Sequence, residues 1–334
     1  MNTSVKSTIE LQNIWSLAPT DFTDHALQVF RFQYDNNQVY QTYCKTLKID
    51  PGVVTRLEKI PFLPISFFKT HTITSTLFEP TATFESSGTT GVQTSRHYVK
   101  DLGVYRESFS ATFRMFYGEP SEWCVIGLLP SYLERNNSSL VVMVDQLVQE
   151  SHQAESGFYL QDFEKLKEVL QQLELRKQKT LLIGVTFALL DFAELNRLSL
   201  QHTVIMETGG MKGRRRELTR AEVHEKLSAL GVNKIHSEYG MTELLSQAYS
   251  TGDGIFVCPP WMKILVREED DPFSVHLPGE TTISGAVNII DLANLYSCSF
   301  IATDDAAKLY SNESFEILGR LDSSDTRGCS LLSL

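Results

Sequence analysis

The stretch Phe84-Glu85-Ser86-Ser87-Gly88-Thr89-Thr90-Gly91 decides how this chain is read, because it sets hydroxyls and glycines where a packed core would need apolar side chains. Glycines let the backbone take positive φ and turn its N–H groups inward, while Ser86, Ser87, Thr89 and Thr90 add hydroxyl donors around the same anion. The run therefore reads as a phosphate-cradling loop. It is not a Walker A loop, since Gly91 is followed by Val92 where that motif needs lysine, and Gly88 and Gly91 lack the G-x-G-x-x-G spacing of a dinucleotide fingerprint. Taken alone, the same composition also fits a Ser/Thr/Gly surface turn.

Around this loop stands a chain of 334 residues, 42% hydrophobic, with a mean hydropathy of -0.14. That suits a globular enzyme with a sizeable core and excludes disordered and fibrous classes. A net charge of -11 argues against broad electrostatic binding of nucleic acid, so a bound anion must be held by a few fixed donors. The basic run Arg214-Arg215-Arg216 is simplest as a solvated helix start. Cys44, Cys124, Cys258, Cys298 and Cys329 are odd in number, scattered and without C-x-x-C spacing, so neither a disulfide framework nor a zinc site is expected. With a polar N-terminus and no apolar run long enough to span a bilayer, a cytoplasmic protein without a membrane span is expected.

Hydrophobic spacing predicts a helix over residues 21 to 47, an extended passage over 60 to 68 forced by Pro61 and Pro64, a strand over 96 to 99, and a helix N-capped by Asp101. Strands over 123 to 129, 181 to 185 and 204 to 206 then alternate with helices over 139 to 148, 163 to 175 and 218 to 230, which is βαβ alternation. The last third predicts strands over 261 to 266, 281 to 290 and 316 to 318, with a more antiparallel sheet. The acidic run Glu268-Glu269-Asp270-Asp271-Pro272 reads as a solvated turn.

Three further stretches could carry chemistry. Ser237-Glu238-Tyr239-Gly240-Met241-Thr242-Glu243 follows an apparent strand end at His236 and offers an aromatic face, a glycine, a hydroxyl and two carboxylates. Such a set suits a nucleotide and Mg²⁺, with Glu243 as metal ligand and Tyr239 as base-stacking ring. The alternative is a helix N-terminus capped by Thr242, with Glu238 and Glu243 in water. Met206-Glu207-Thr208-Gly209-Gly210 ends a strand in glycines against which a flat ring could lie, or simply makes a tight turn. In Thr303-Asp304-Asp305 and Gly319-Arg320-Leu321-Asp322, a carboxylate could accept ribose hydroxyls and an arginine could reach ribose or phosphate oxygens.

The order of these motifs resembles the core series of the adenylate-forming superfamily, which includes acyl-CoA synthetases, peptide-synthetase adenylation domains and firefly luciferase. Within it the chain looks most like the LuxE-type acyl-protein synthetases, known from the fatty acid reductase of bacterial bioluminescence. The residues that carry this narrower match are Ile60-Pro61-Phe62-Leu63-Pro64-Ile65-Ser66-Phe67-Phe68-Lys69-Thr70-His71, Ser95-Arg96-His97, Leu129-Pro130-Ser131-Tyr132-Leu133-Glu134-Arg135, Thr208-Gly209-Gly210-Met211-Lys212-Gly213 and Asp325-Thr326-Arg327-Gly328-Cys329-Ser330-Leu331-Leu332.

The resemblance implies an α/β fold, the adenylate-forming large domain over residues 1 to 320 with stacked mixed sheets and intervening helices. Residues 321 to 334 would be a hinge remnant and tail carrying Cys329, with the small C-terminal domain absent. It implies ATP-dependent activation of a carboxylic, fatty acid to an acyl-adenylate, then transfer to a protein cysteine, with Cys329 as acceptor and the other four cysteines as small buried hydrophobes. ATP and Mg²⁺ would be the cofactors, held by Ser86, Ser87, Gly88, Thr89, Thr90, Gly91, Gly209, Gly210, Tyr239, Gly240, Thr242, Asp305, Arg320 and, for the metal, Glu243. A protein that carries or reduces the acyl group is the partner it suggests, with no role for nucleic acid. The superfamily's C-terminal-domain lysine has no counterpart, and Lys69 and Lys212 are the candidates to replace it, with Arg96 beside the pyrophosphate. Rival readings are an acyl- or aryl-CoA ligase resembling phenylacetate-CoA ligase and a catalytically silent nucleotide-binding subunit. Phe67, Phe68, Leu128 and Tyr132 could line an acyl tunnel, though core is the simpler role.

Overall fold

A computed structural model describes residues 11–86, 94–129, 137–160, 162–209 and 218–321. Along the chain run α1 (Phe22–Asn36), α2 (Gln38–Thr46), β1 (Leu63–Pro64), α3 (Phe67–Thr70), β2 (Ala82–Glu85), β3 (Arg96–Val99), α4 (Leu102–Tyr117), β4 (Cys124–Leu128) and α5 (Ser139–Ser151). There follow β5 (Gly157–Phe158), α6 (Phe163–Leu175), β6 (Thr180–Val185), α7 (Thr186–Leu195), β7 (Thr203–Thr208), α8 (Arg220–Leu227), β8 (Ile235–Tyr239) and β9 (Ala248–Ser250). Last come β10 (Ile255–Phe256), β11 (Met262–Arg267), β12 (Val275–His276), β13 (Ile283–Asp291), β14 (Phe300–Leu309) and β15 (Phe315–Arg320).

These strands make two large sheets and a hairpin. The first sheet has the order β5-β4-β6-β7-β8-β9, parallel except for β9. Its central strands β4 and β6 are buried at every position, as a parallel sheet covered on both faces requires. The second, β10-β15-β14-β13-β11-β12, is antiparallel, with β1 added in parallel beside β14. The hairpin pairs β2 with β3, Glu85 opposite Arg96. The fold is thus mixed α/β with several sheets and intervening helices, as the motif order implied.

Local signals explain most boundaries. Asp101 accepts from the Gly103 N–H at 2.8 Å and starts α4, while Asp162 caps α6 and buries Leu166, Leu170 and Leu173 along one stripe. A capping box of Thr219 and Glu222 opens α8. The expected single helix over 21 to 47 is instead two, because Asn37 takes an extended conformation (φ -108°, ψ 106°) and its side chain accepts from the Tyr40 N–H. The expected extended passage over 60 to 68 holds only to Pro64, after which α3 makes one helical turn. The acidic run Glu268 to Pro272 is an exposed turn.

Candidate active site

Elements from every part of the chain converge beyond the C-terminal ends of β7 and β8, where open α/β sheets bind their ligands. The base of the glycine loop is closed by a reciprocal pair: the Ser95 N–H donates to Ser86 Oγ at 2.9 Å, and the Ser86 N–H donates to the Ser95 carbonyl. Ser87, Gly88, Thr89, Thr90 and Gly91 lie outside the described residues, as do Gly210, Lys212, Arg214 to Arg216, Tyr132 and Cys329. Gly209, at the end of β7, is exposed with φ 74°, a left-handed conformation that glycine adopts freely.

The Tyr239 to Glu243 segment is arranged differently from the helix start considered above. Strand β8 continues through Glu238 and Tyr239, and Thr242 and Glu243 form a turn and cap no helix. Neither carboxylate stands free in water. Glu238 accepts a short hydrogen bond from Thr208 Oγ1, and burial pushes its carboxyl up to about 7 against that bond. A Cβ at Gly240 would meet the Glu238 carboxylate, which would have to shift. Glu243 is only 5% exposed. Its carboxyl is pushed up by burial, against the Ser95 hydroxyl bonded to it and the nearby positive charges of Arg320 and Lys69.

Opposite this segment, Asp305 on β14 is the register partner of Arg320 on β15. The Tyr239 hydroxyl donates to Asp305 at 2.8 Å, and the Arg320 guanidinium lies 3.6 Å from its other oxygen. Burial pushes the Asp305 carboxyl up, opposed by these two partners. The Tyr239 ring packs edge-on against Phe256 and Phe315, which sets its plane at the rim of the second sheet. Lys69 is exposed on α3, which packs against β3 through the Phe68–His97 ring contact at 5.9 Å. Arg96 is paired with Glu85 at 3.2 Å across the hairpin.

Several contributors were not assigned a role from the sequence. Ser95 reaches Glu243. His97, buried, sits between the Thr242 carbonyl at 2.8 Å and Asn294 Oδ1 at 3.0 Å, and burial pushes its imidazole down to about 4. Two residues before Gly209, half-buried Glu207 accepts from Thr186 Oγ1 at 2.9 Å and lies 3.9 Å from both Arg220 Nε and His224 Nε2. Asp291, at the end of β13, accepts from the N–H groups of Leu245, Ser246 and Ala293 and from the Ser246 hydroxyl, tying the chain after Glu243 to the second sheet. No periodicity marks such residues, because each looks like an ordinary polar side chain until its distant partner is known.

A lone buried carboxylate beside hydroxyl donors is what a Mg²⁺ ion completed by phosphate oxygens and water would need from the protein. Among the described residues no cluster of three or more His, Cys, Asp or Glu is placed to hold a metal unaided. Cys44, Cys124 and Cys298 are buried and Cys258 is half-buried; burial pushes the thiols of Cys44 and Cys298 up to about 12 and raises the other two. Phe68 and Leu128 are core residues and Phe67 is half-buried. No helix among the described residues is long and apolar enough to cross a membrane.

Comparison with known proteins agrees with this geometry. The profile of the LuxE family, acyl-protein synthetase, matches residues 20–333. A long-chain-fatty-acid–luciferin-component ligase of Photorhabdus luminescens is 40% identical over 68 residues, 20% of this chain and 58% of that protein. The ATP-bound crystal structure of MatB from Rhodopseudomonas palustris superposes with a TM-score of 0.54 at 19% identity, over 72% of this chain and 48% of that one. An ATP-bound RpMatB-BxBclM chimera gives the same values. The matched part is thus less than two thirds of each relative's length, and the structural likeness establishes the shared fold.

Proposed function

This chain belongs to the LuxE family of acyl-protein synthetases, and from that premise we propose that it activates a fatty acid with ATP and passes the acyl group to a cysteine thiol. In the first step a carboxylate oxygen attacks the α-phosphorus of ATP, and pyrophosphate leaves. In the second a thiolate attacks the acyl carbonyl carbon, and AMP leaves. The first step asks for positioning and charge neutralisation more than for proton transfer. Bound Mg²⁺, held by Glu243, would supply Lewis-acid neutralisation of the phosphate oxygens.

One observation carries this reading: the ring of Tyr239, its bond to Asp305, and Arg320 stand on the side of Glu243, next to the Ser95 that closes the base of the glycine loop. Asp305 and Arg320 would take ribose hydroxyls, Tyr239 and the Gly209 strand end would flank the base, and Ser86 with Thr242 and the glycine loop would face the phosphates. Gly240 lets the base approach. Lys69 is the cation of the α3 turn whose charge reaches Glu243, which favours it for the phosphate side. Cys329 is the thiol we assign as acceptor, since burial raises the other four. A fatty acid fits the curated ligase's name, and a protein that takes the acyl group onward fits the family description.

The test is exchange of radiolabelled pyrophosphate into ATP with Mg²⁺ and a panel of fatty acids. Acid-dependent exchange is the expected result. Its absence with every acid overturns the adenylation proposal; with radiolabelled acid and ATP, label on protein is expected, and label on coenzyme A in its place would make the chain an acyl-CoA ligase.

A further inference from the structure

Two side chains that touch only the backbone of the proposed nucleotide site fix its metal-facing turn. Asn294 ends the 3₁₀ turn Leu292–Asn294 and is buried; its Nδ2 donates to the Glu243 carbonyl at 2.8 Å and to the Cys298 carbonyl at 2.9 Å. Since both partners are acceptors only, Oδ1 must be the atom facing the third neighbour, His97 Nε2, at 3.0 Å. His97 Nδ1 in turn faces the Thr242 carbonyl at 2.8 Å, and a neutral ring donates from only one of its two nitrogens, here to that carbonyl. Two consecutive carbonyls, Thr242 and Glu243, therefore lie against one pair of side chains, one on β3 and one in the 3₁₀ turn that follows β13.

The pair has a second consequence. His97 lies on β3, two residues beyond the Ser95 whose backbone closes the glycine loop and whose hydroxyl reaches Glu243. Phe68 and Phe84 pack edge-on to its ring at 5.9 and 6.4 Å. We propose that His97 and Asn294 are positioning residues that lock the Thr242–Glu243 turn in register with Ser86 and Ser95, so that the Glu243 carboxylate is held where it can meet a Mg²⁺–phosphate group. The inference rests on the metal reading of Glu243. Supporting partners of this kind hold a ligand's orientation, and removing one costs metal affinity although the ligand itself is untouched.

The test reads binding as well as catalysis. Mn²⁺ is titrated, by electron paramagnetic resonance of the free ion, into the full chain with a non-hydrolysable ATP analogue. His97→Ala and Asn294→Ala should weaken Mn²⁺ binding roughly tenfold or more. His97→Asn, whose amide can still donate to the Thr242 carbonyl, should stay within about threefold of wild type, and it carries the test if His97→Ala fails to fold. In a Glu243→Gln background the His97→Ala change should cost nothing further. The Michaelis constant for the acid should not move. Wild-type Mn²⁺ affinity in both alanine variants, equal loss in His97→Asn, or an undiminished effect of His97→Ala in the Glu243→Gln background overturns the positioning role alone. A wild-type chain that binds no Mn²⁺ with nucleotide overturns the metal reading and the clamp together.

Discussion

At the scale of single residues, burial decides what the carboxylates can do. Glu243 was legible as a metal candidate from its place after the strand, but its water-facing alternative fails because the side chain is only 5% exposed. A buried carboxylate opposed by its own desolvation gains most from a cation, so Glu243→Gln should lower pyrophosphate exchange by about 2–4 kcal/mol, roughly thirtyfold to a thousandfold. The same change should leave the ligand-free chain's melting temperature equal or higher, since it removes a desolvated charge. Exchange within a few-fold of wild type at saturating Mg²⁺ would refute the assignment. Glu238 gives a pH prediction. Its folded carboxyl titrates near 7 against 4.5 for the free group, so the folded chain binds the extra proton and its stability falls as pH rises through that window. Glu238→Gln suffers no such fall; without ligand it should gain on wild type with rising pH, by up to about 3 kcal/mol at full effect. Thermal melts at acid and mildly alkaline pH will check this, and a gap that does not widen with pH would contradict it.

At the scale of elements, capping was the readable part and burial the unreadable part. Asp101 and the stripe of Leu166, Leu170 and Leu173 announce α4 and α6 because their partners lie within a turn or two. Helix α7 does not announce itself: Phe187, Ala188, Leu189, Leu190, Phe192 and Ala193 are all buried, and a helix apolar on nearly every side has no clear periodic stripe to read. Strand β14 was masked by Asp304 and Asp305, polar residues that pointed to a site and away from a strand. The division of α1 from α2 turns on Asn37, whose amide also donates to the Ser297 carbonyl at 3.0 Å far along the chain. Asn37→Ala should therefore destabilise the fold by about 2 kcal/mol, the loss of a cap plus a buried hydrogen bond, read as a lower urea midpoint with an unchanged slope. A loss below about 0.5 kcal/mol, the size of an ordinary surface change, would mean the two helices need no such joint.

At the scale of the whole molecule, the proposed chemistry divides between groups that would hold the adenylate and a thiol that would receive the acyl group. Cys329→Ser should keep pyrophosphate exchange near the wild-type rate, because Tyr239, Glu243 and Asp305 need no thiol, while the protein should carry no hydroxylamine-sensitive acyl label. Label retained in the variant would turn attention to another acceptor. What the sequence by itself determined was the order of the motifs, hence the family, the α/β class, the antiparallel last third and the identities of Tyr239, Glu243, Asp305 and Arg320. The family, class and sheet type were legible, and those four residues stood out as candidates, because glycine, hydroxyl and carboxylate runs at strand ends are local chemistry. What only the tertiary structure decided was which of these groups meet: Tyr239 with Asp305, Ser95 with Glu243, and His97 with Thr242 and Asn294. Those pairs join residues 66 to 197 positions apart or lie across separate sheets. Their protonation and orientation follow from desolvation and from partners that packing alone brings together, and no spacing along the chain encodes either.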